Sequence, residues 1–240
     1  MSNLLADKIA LVTGASRGIG RATALELAKA GAHIVALART VGALEALDDE
    51  IKEAGSTATL VPLDIKDFPA LDRLGASLYE RFKKLDVLVG NAGQLGQLSP
   101  VGHIDPKTWD DVMAVNVTAN WRLIRSLDPL LRQSEAGRAV FITSGVARNV
   151  RAYWGLYAAS KAALEAIVLA YAGELGKTNV KVNLFNPGPI RTRMRAKAMP
   201  GEDPMTLDTP EQAAEAILPL CLPSCTESGK IYDYKQKKFL

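Results

Sequence analysis

The chain has 240 residues, 48% of them hydrophobic, with 29 Lys and Arg against 26 Asp and Glu and a formal net charge of +3. That length buries a sizeable core in one unit. The near-balanced charge, clustered only at Arg191, Arg193, Arg195 and Lys197 and at the tail residues Lys235, Lys237 and Lys238, excludes the concentrated positive face of a nucleic-acid binder.

No apolar run reaches membrane-spanning length. Cys221 and Cys225 lack the further Cys or His partners of a zinc site, so no metal centre is expected, and free thiols in a reducing cytoplasm suit them. The first fourteen residues pass into strand-like sequence almost at once, without the basic, apolar and cleavage regions of a secretory leader. A cytoplasmic protein is the expectation.

Short runs rich in Val, Ile and Leu predict buried strands at 9–13, 33–37, 59–63, 87–89, 139–143 and 180–185. Helical spacing predicts helices at 22–30, 44–54, 71–82 and 155–175. Alternation of the two predicts a single-domain doubly wound α/β fold, a parallel sheet covered by helices on both faces. Such sheets take ligands beyond the carboxyl ends of their strands, so the residues after each run carry the functional reading.

After the first run comes Thr13-Gly14-Ala15-Ser16-Arg17-Gly18-Ile19-Gly20, with a helix predicted from near Arg21. Glycines there permit a tight turn and let backbone approach a pyrophosphate at a helix N-terminus, or they form a plain glycine-rich turn. The second run ends in Ala38-Arg39, where a reader of the ribose 2′-hydroxyl would carry Asp or Glu. A guanidinium instead pairs with a 2′-phosphate, with Arg17 near the same group, which favours NADP over NAD; a solvated arginine is the alternative. Asp64 either accepts from an adenine amino group or caps the next helix. Asn91-Ala92-Gly93 is a turn small enough for a cofactor to approach its backbone, or simply a turn.

Asn116 sits in an apolar segment, as a buried structural amide or as a link holding a water near Lys161. Ser144 ends the fifth run, as a donor to a substrate oxygen or as a cap. Tyr157 and Lys161 lie four apart on one predicted helix, where the ammonium is expected to lower the phenol's pKa toward working pH. A surface tyrosine stacked on a lysine stem is the competing reading. Residues 186–210 hold five prolines and two glycines and read as a candidate substrate loop or an ordinary surface loop. Tyr153, Trp154, Leu95 and Met194 either line an apolar pocket or pack in the core.

Taken in order, these residues resemble the classical short-chain dehydrogenases/reductases over essentially the whole chain. The glycine loop is Thr13 to Gly20, the NAG turn Asn91 to Gly93, and the YxxxK pair Tyr157 and Lys161, with Ser144 thirteen residues before the tyrosine. Pro187-Gly188 matches the motif after the sixth strand, and Thr192 the position that contacts the nicotinamide amide. The resemblance implies a Rossmann-type sheet of about seven strands. It implies catalytic Asn116, Ser144, Tyr157 and Lys161. It also implies cofactor contacts at Gly14, Ser16, Arg17, Gly18, Ile19, Gly20, Arg39, Asp64, Ile65, Asn91, Ala92, Gly93, Tyr157, Lys161, Pro187, Gly188, Ile190 and Thr192.

The expected activity is NADP(H)-dependent hydride transfer between nicotinamide and a small-molecule carbonyl or alcohol, run as reduction, with Tyr157 as acid and base. A homodimer or homotetramer is implied, with no nucleic-acid or membrane partner. A non-catalytic dinucleotide sensor or scaffold is the alternative, opposed by the complete catalytic set, and epimerisation or dehydration is a third reading. The chain departs from the family pattern at its end, where Gly229 to Tyr234 leads into a basic tail, and this puts tail contacts between subunits in doubt. The arginine string at 191–195 attracts an anionic substrate or is a solvated face.

Overall fold

Runs of Val, Ile, Leu and Ala without alternating charge suit strands covered on both faces. The structure, a computed structural model describing residues 3–240, places them so. In chain order the elements are β1 (Ile9–Thr13), α1 (Gly18–Lys29), β2 (His33–Ala38), α2 (Val41–Glu53), β3 (Ala58–Pro62), α3 (Phe68–Phe82) and β4 (Val87–Gly90). There follow α4 (Pro106–Met113), a π-helical turn (Ala114–Thr118), α5 (Ala119–Arg132), β5 (Arg138–Ile142), α6 (Gly155–Glu174) and β6 (Lys181–Asn186). The chain ends with α7 (Arg193–Ala198), α8 (Pro210–Cys221), β7 (Ile231–Asp233) and β8 (Lys238–Phe239).

The strands form one sheet in the order β3-β2-β1-β4-β5-β6-β7-β8, parallel except for the antiparallel pair β7 and β8. The sheet therefore has eight strands where about seven are expected. The added strand is the tail itself: Tyr232 pairs with Phe239, and Leu240 N–H donates to the Ile231 carbonyl. The tail so folds back on its own subunit.

Alternate strand residues feed two cores. Leu11, Leu88, Phe141 and Leu184 face α3, α5 and α6, whereas Ala10, Val12, Val89 and Val140 face α1, α2 and α8. Local chemistry sets the helix ends. Asp67 accepts from Ala70 N–H to start α3, and Thr209 and Gln212 cap α8 reciprocally just ahead of Pro210. Asp67, not Asp64, is thus the cap, because Asp64 lies one turn too early and its carboxylate instead accepts from Lys66 N–H at 2.9 Å.

The order of strand addition reverses between β1 and β4: from β1 the sheet is built outward to β3, and β4 returns, parallel, to the other side of β1. This switch point opens a crevice at the carboxyl ends of β1 and β4. Among the described residues, no helix is long and apolar enough to cross a membrane.

Candidate active site

At the crevice the two strand ends are stitched together. Thr13 Oγ1 accepts from the N–H groups of Asn91 and Ala92, each at 3.0 Å, and Asn91 Nδ2 donates to the Thr13 carbonyl at 2.9 Å. Each bond crosses from the end of β1 to the loop after β4.

The glycines of the first loop have separate jobs. Gly14 has φ +66°, and a methyl there would stand 3.0 Å from Ala92 Cα. A methyl at Gly20 would overlap Asn91 Nδ2 and the Gly14 carbonyl. Both are glycine because the stitched loop packs on them, a reason the sequence reading did not contain. Gly18 has φ +57° and faces only Thr192, whose methyl lies 3.6 Å from its missing β-carbon. Helix α1 begins at Gly18 rather than Arg21, with Arg17 as an extended N-cap that offers no side-chain bond. The first N–H groups of α1 therefore open onto the crevice, as a phosphate site requires.

Arg17 and Arg39 are exposed, and Ser16 and Ile19 are half-buried in the same loop. Arg39, with its side chain 69% exposed, pairs loosely with Asp64 at 3.8 Å, and Ile65 is buried beside it. A second charge pair, Lys66 with Asp111 at 2.7 Å, closes this corner against α4.

Asn116 lies in the π-helical turn and is fully buried. Its Oδ1 accepts from Gln94 N–H at 2.7 Å, while Nδ2 donates to the Gln94 carbonyl and to Ser160 Oγ, both at 2.9 Å. Both amide hydrogens are taken, and the side chain ties the loop after β4 to α6. Ser144 follows β5 and accepts from Val146 N–H at 3.5 Å, starting a short 3-10 turn.

Tyr157 and Lys161 are buried on α6. Lys161 Nζ donates to the Ile142 carbonyl at 2.7 Å and stands 5.8 Å from the Tyr157 ring centre. The missing β-carbon of Gly93 would lie 3.6 Å from Lys161 Nζ and 3.6 Å from Asn116 Oδ1, so the NAG turn, Lys161 and Asn116 meet. The expected lowering of the phenol pKa is not what this arrangement gives. Burial pushes Tyr157 up to about 12, opposed only by the nearby Ser144 hydroxyl. Burial also pushes Lys161 down to about 8, opposed by the negative charge of Glu165 one turn on. The ammonium is hydrogen-bonded to a strand carbonyl, and desolvation of the phenol dominates.

Glu165 was not singled out from sequence. It is a buried carboxylate that accepts from Thr143 Oγ1 at 2.7 Å and lies 3.7 Å from Arg148 Nε. Through Thr143 it holds the residue immediately before Ser144.

Beyond β6, Pro187 and Ile190 are buried and Gly188 lies under the Lys235 stem. Thr192 accepts from Arg195 N–H at 3.2 Å and starts α7. The segment 186–210 is thus partly helical. The Asp208 carbonyl accepts from Arg191 N–H at 2.9 Å, and its carboxylate meets Lys235 Nζ at 2.5 Å, fastening the segment to the tail hairpin. The arginine string is not a uniform cationic face: Arg195 forms a two-pronged pair with Glu202 at 2.5 and 2.6 Å, and Arg191 lies on the Met205 sulfur, leaving Arg193 exposed.

A family model described as short chain dehydrogenase matches residues 8–203. The chain belongs to the short chain dehydrogenases. This dehydrogenase is similar to the uncharacterized oxidoreductase YciK of Escherichia coli K12, at 41% identity over 223 residues, 92% of this chain and 86% of that one. It is 32% identical over 193 residues to the NADPH-dependent pterin aldehyde reductase of Arabidopsis thaliana, covering 80% of this chain and 79% of that one. A crystal structure of a short chain dehydrogenase from Escherichia coli CFT073, complexed with NADPH, matches with a TM-score of 0.92 at 40% identity, over 96% of this chain and 98% of that chain.

In this short chain dehydrogenase, sequence reasoning missed the partners rather than the principals. Gln94, Ser160 and Glu165 hold the named residues in place, and each is an ordinary polar residue whose role exists only through contacts made far along the chain.

Proposed function

We propose that this dehydrogenase reduces a carbonyl compound with NADPH, with Tyr157 donating the proton. The observation that carries this reading is the buried Tyr157 phenol, kept in its protonated form by burial, in the loop-and-helix corner with Ser144 after β5 and one turn before Lys161. A group that keeps its proton at neutral pH is the donor that carbonyl reduction calls for.

The crevice suits a dinucleotide phosphate on its own geometry. Gly14, Ser16, Gly18, Ile19 and Gly20 present the N-terminus of α1 to the pyrophosphate, and Arg17 and Arg39 present exposed guanidinium groups to the 2′-phosphate. Asp64 and Ile65 take the adenine; Asn91, Ala92, Gly93 and Lys161 take the inner ribose; Pro187, Gly188, Ile190 and Thr192 take the nicotinamide. The NADPH of the Escherichia coli CFT073 structure and the NADPH dependence of the Arabidopsis reductase support the same choice. When bound, NADPH supplies hydride to the carbonyl carbon.

Tyr157 Oη gives its proton to the carbonyl oxygen while the Ser144 hydroxyl donates a second hydrogen bond to the charge growing there. Lys161, charged below about pH 8, stabilises the phenolate left behind. Asn116 and Glu165 hold Lys161 and Ser144 in register, and the 186–210 segment walls the substrate side.

Loss of NADPH absorbance with a panel of aldehydes and ketones tests this. Tyr157→Phe should cut turnover about a thousandfold and weaken NADPH binding far less. Turnover surviving in that variant would remove Tyr157 from the chemistry.

A further inference from the structure

Tyr153 has φ +71°. The left-handed region is costly for a residue with a bulky side chain and is normally given to Gly, Asn or Asp. A buried ring would offset that cost by packing, yet Tyr153 is 61% exposed. The conformation is nonetheless held from outside. The Tyr153 carbonyl accepts from Ser99 N–H at 3.0 Å, joining the loop after β4 to the one before α6.

The position is next to the chemistry. Trp154 follows, and its ring meets the Tyr157 ring edge-on, with centres 6.2 Å apart. The Val101 methyl lies 3.0 Å from the missing β-carbon of Gly155, two residues before Tyr157. Val101, Val150 and Tyr153 are large apolar side chains left exposed on these two loops, at 73%, 64% and 61%. Strain without compensating burial, four residues before Tyr157, marks a side chain kept for what it contacts.

We propose that Tyr153 is a specificity-determining residue, the outer wall against which the flat ring of an aromatic carbonyl substrate lies. The proposal rests on the reductase reading above. Stacking on a planar ring gains from the offset contact of two π faces, which an aliphatic chain of similar size does not offer. Val101 and Val150 add exposed apolar surface on the same two loops, and Trp154 packs against the Tyr157 ring.

The test uses 2-naphthaldehyde and hexanal, which share the reacting group and differ in flatness, with Tyr153→Asn and Tyr153→Phe. Asparagine tolerates the left-handed backbone and removes the ring, whereas phenylalanine keeps the ring. Tyr153→Asn should lower kcat/KM for 2-naphthaldehyde about fivefold, mainly through KM. It should cost hexanal clearly less and should not lower Tm, while Tyr153→Phe should behave as the parent. Equal losses on both aldehydes, no loss on either, or a fall in Tm overturns the proposal. So does a smaller particle mass for Tyr153→Asn in light scattering, which would assign the ring to a subunit contact. Calorimetric binding of 2-naphthaldehyde with NADP present separates the two levels. Binding weakened by Tyr153→Asn without any turnover in the parent protein overturns the reductase reading alone, and binding indifferent to Tyr153 overturns this one.

Discussion

Reversing the charge at Arg39 is the sharpest test of how the crevice chooses its dinucleotide. The Arg39 side chain is 69% exposed and its partner Asp64 stands 3.8 Å away, so the guanidinium is positioned without being neutralised. Because it faces water, the attraction has to be reckoned at high dielectric: a unit charge about 4 Å from a doubly charged phosphate gains about 2 kcal/mol. That is about 30-fold in Kd. Arg39→Asp removes this attraction and adds a repulsion of similar size, about 4 kcal/mol, so NADPH should bind roughly a thousandfold more weakly. NADH carries no 2′-phosphate and should keep its affinity within about twofold. Titrations followed by nucleotide fluorescence, at low and high salt, give both constants, and the NADPH loss should shrink as salt screens it. An unchanged NADPH to NADH ratio, or equal loss of both, would refute the assignment.

The pH profile carries a second prediction. Burial lowers Lys161 to about 8 and raises Tyr157 to about 12, so as pH rises the ammonium is lost first while the phenol keeps its proton. With the charge on Lys161 required, kcat/KM for reduction falls above about pH 8; a profile flat to pH 10 would refute that requirement. Glu165→Gln removes the carboxylate whose charge props up the Lys161 pKa, and should move the falling limb to lower pH. The same residue shapes stability: between about 8 and 10.5 the folded protein binds fewer protons at Lys161 than the unfolded chain, so its contribution rises with pH across that window. Gly20→Ala places a methyl into Asn91 Nδ2 and the Gly14 carbonyl and should cost about 2 kcal/mol, a Tm drop of roughly 4–8 °C. Gly42→Ala, in α2 with open space around it, should raise Tm slightly, and equal melting of the two variants would refute the packing reason for Gly20.

The strands of the sheet were legible because a parallel strand buried on both faces is a continuous apolar run, and β1, β2 and β4 to β6 differ from their sequence-derived bounds by a residue or so at either end. Helix starts were harder. Gly18 and Gly20 hide the first turn of α1, since glycine is a weak helix former and signals a loop. The six-residue α7 is too short to display a period, and its proline-rich surroundings read as irregular. Strand β8 escaped because Lys238 and Phe239 sit in a charged tail with no alternation to detect. At the site, the strand-end positions of Gly14, Asn91, Ser144 and Pro187 followed from topology. The pKa of Tyr157 did not, because spacing four along a helix gives a shared face and says nothing of whether the ammonium turns to the phenol or to the Ile142 carbonyl.

The two-residue β8 also decides how the sheet ends. An open parallel sheet exposes a row of unpaired N–H and C=O groups at each border, a template on which another chain can pair. Here one border is β8, a strand only two residues long that runs against the direction of the rest. The other border, β3, finishes on Pro62, which has no N–H to offer. Both borders thereby discourage growth of the sheet from molecule to molecule, and the basic residues Lys237 and Lys238 add like-charge repulsion where the short strand would otherwise invite a neighbour.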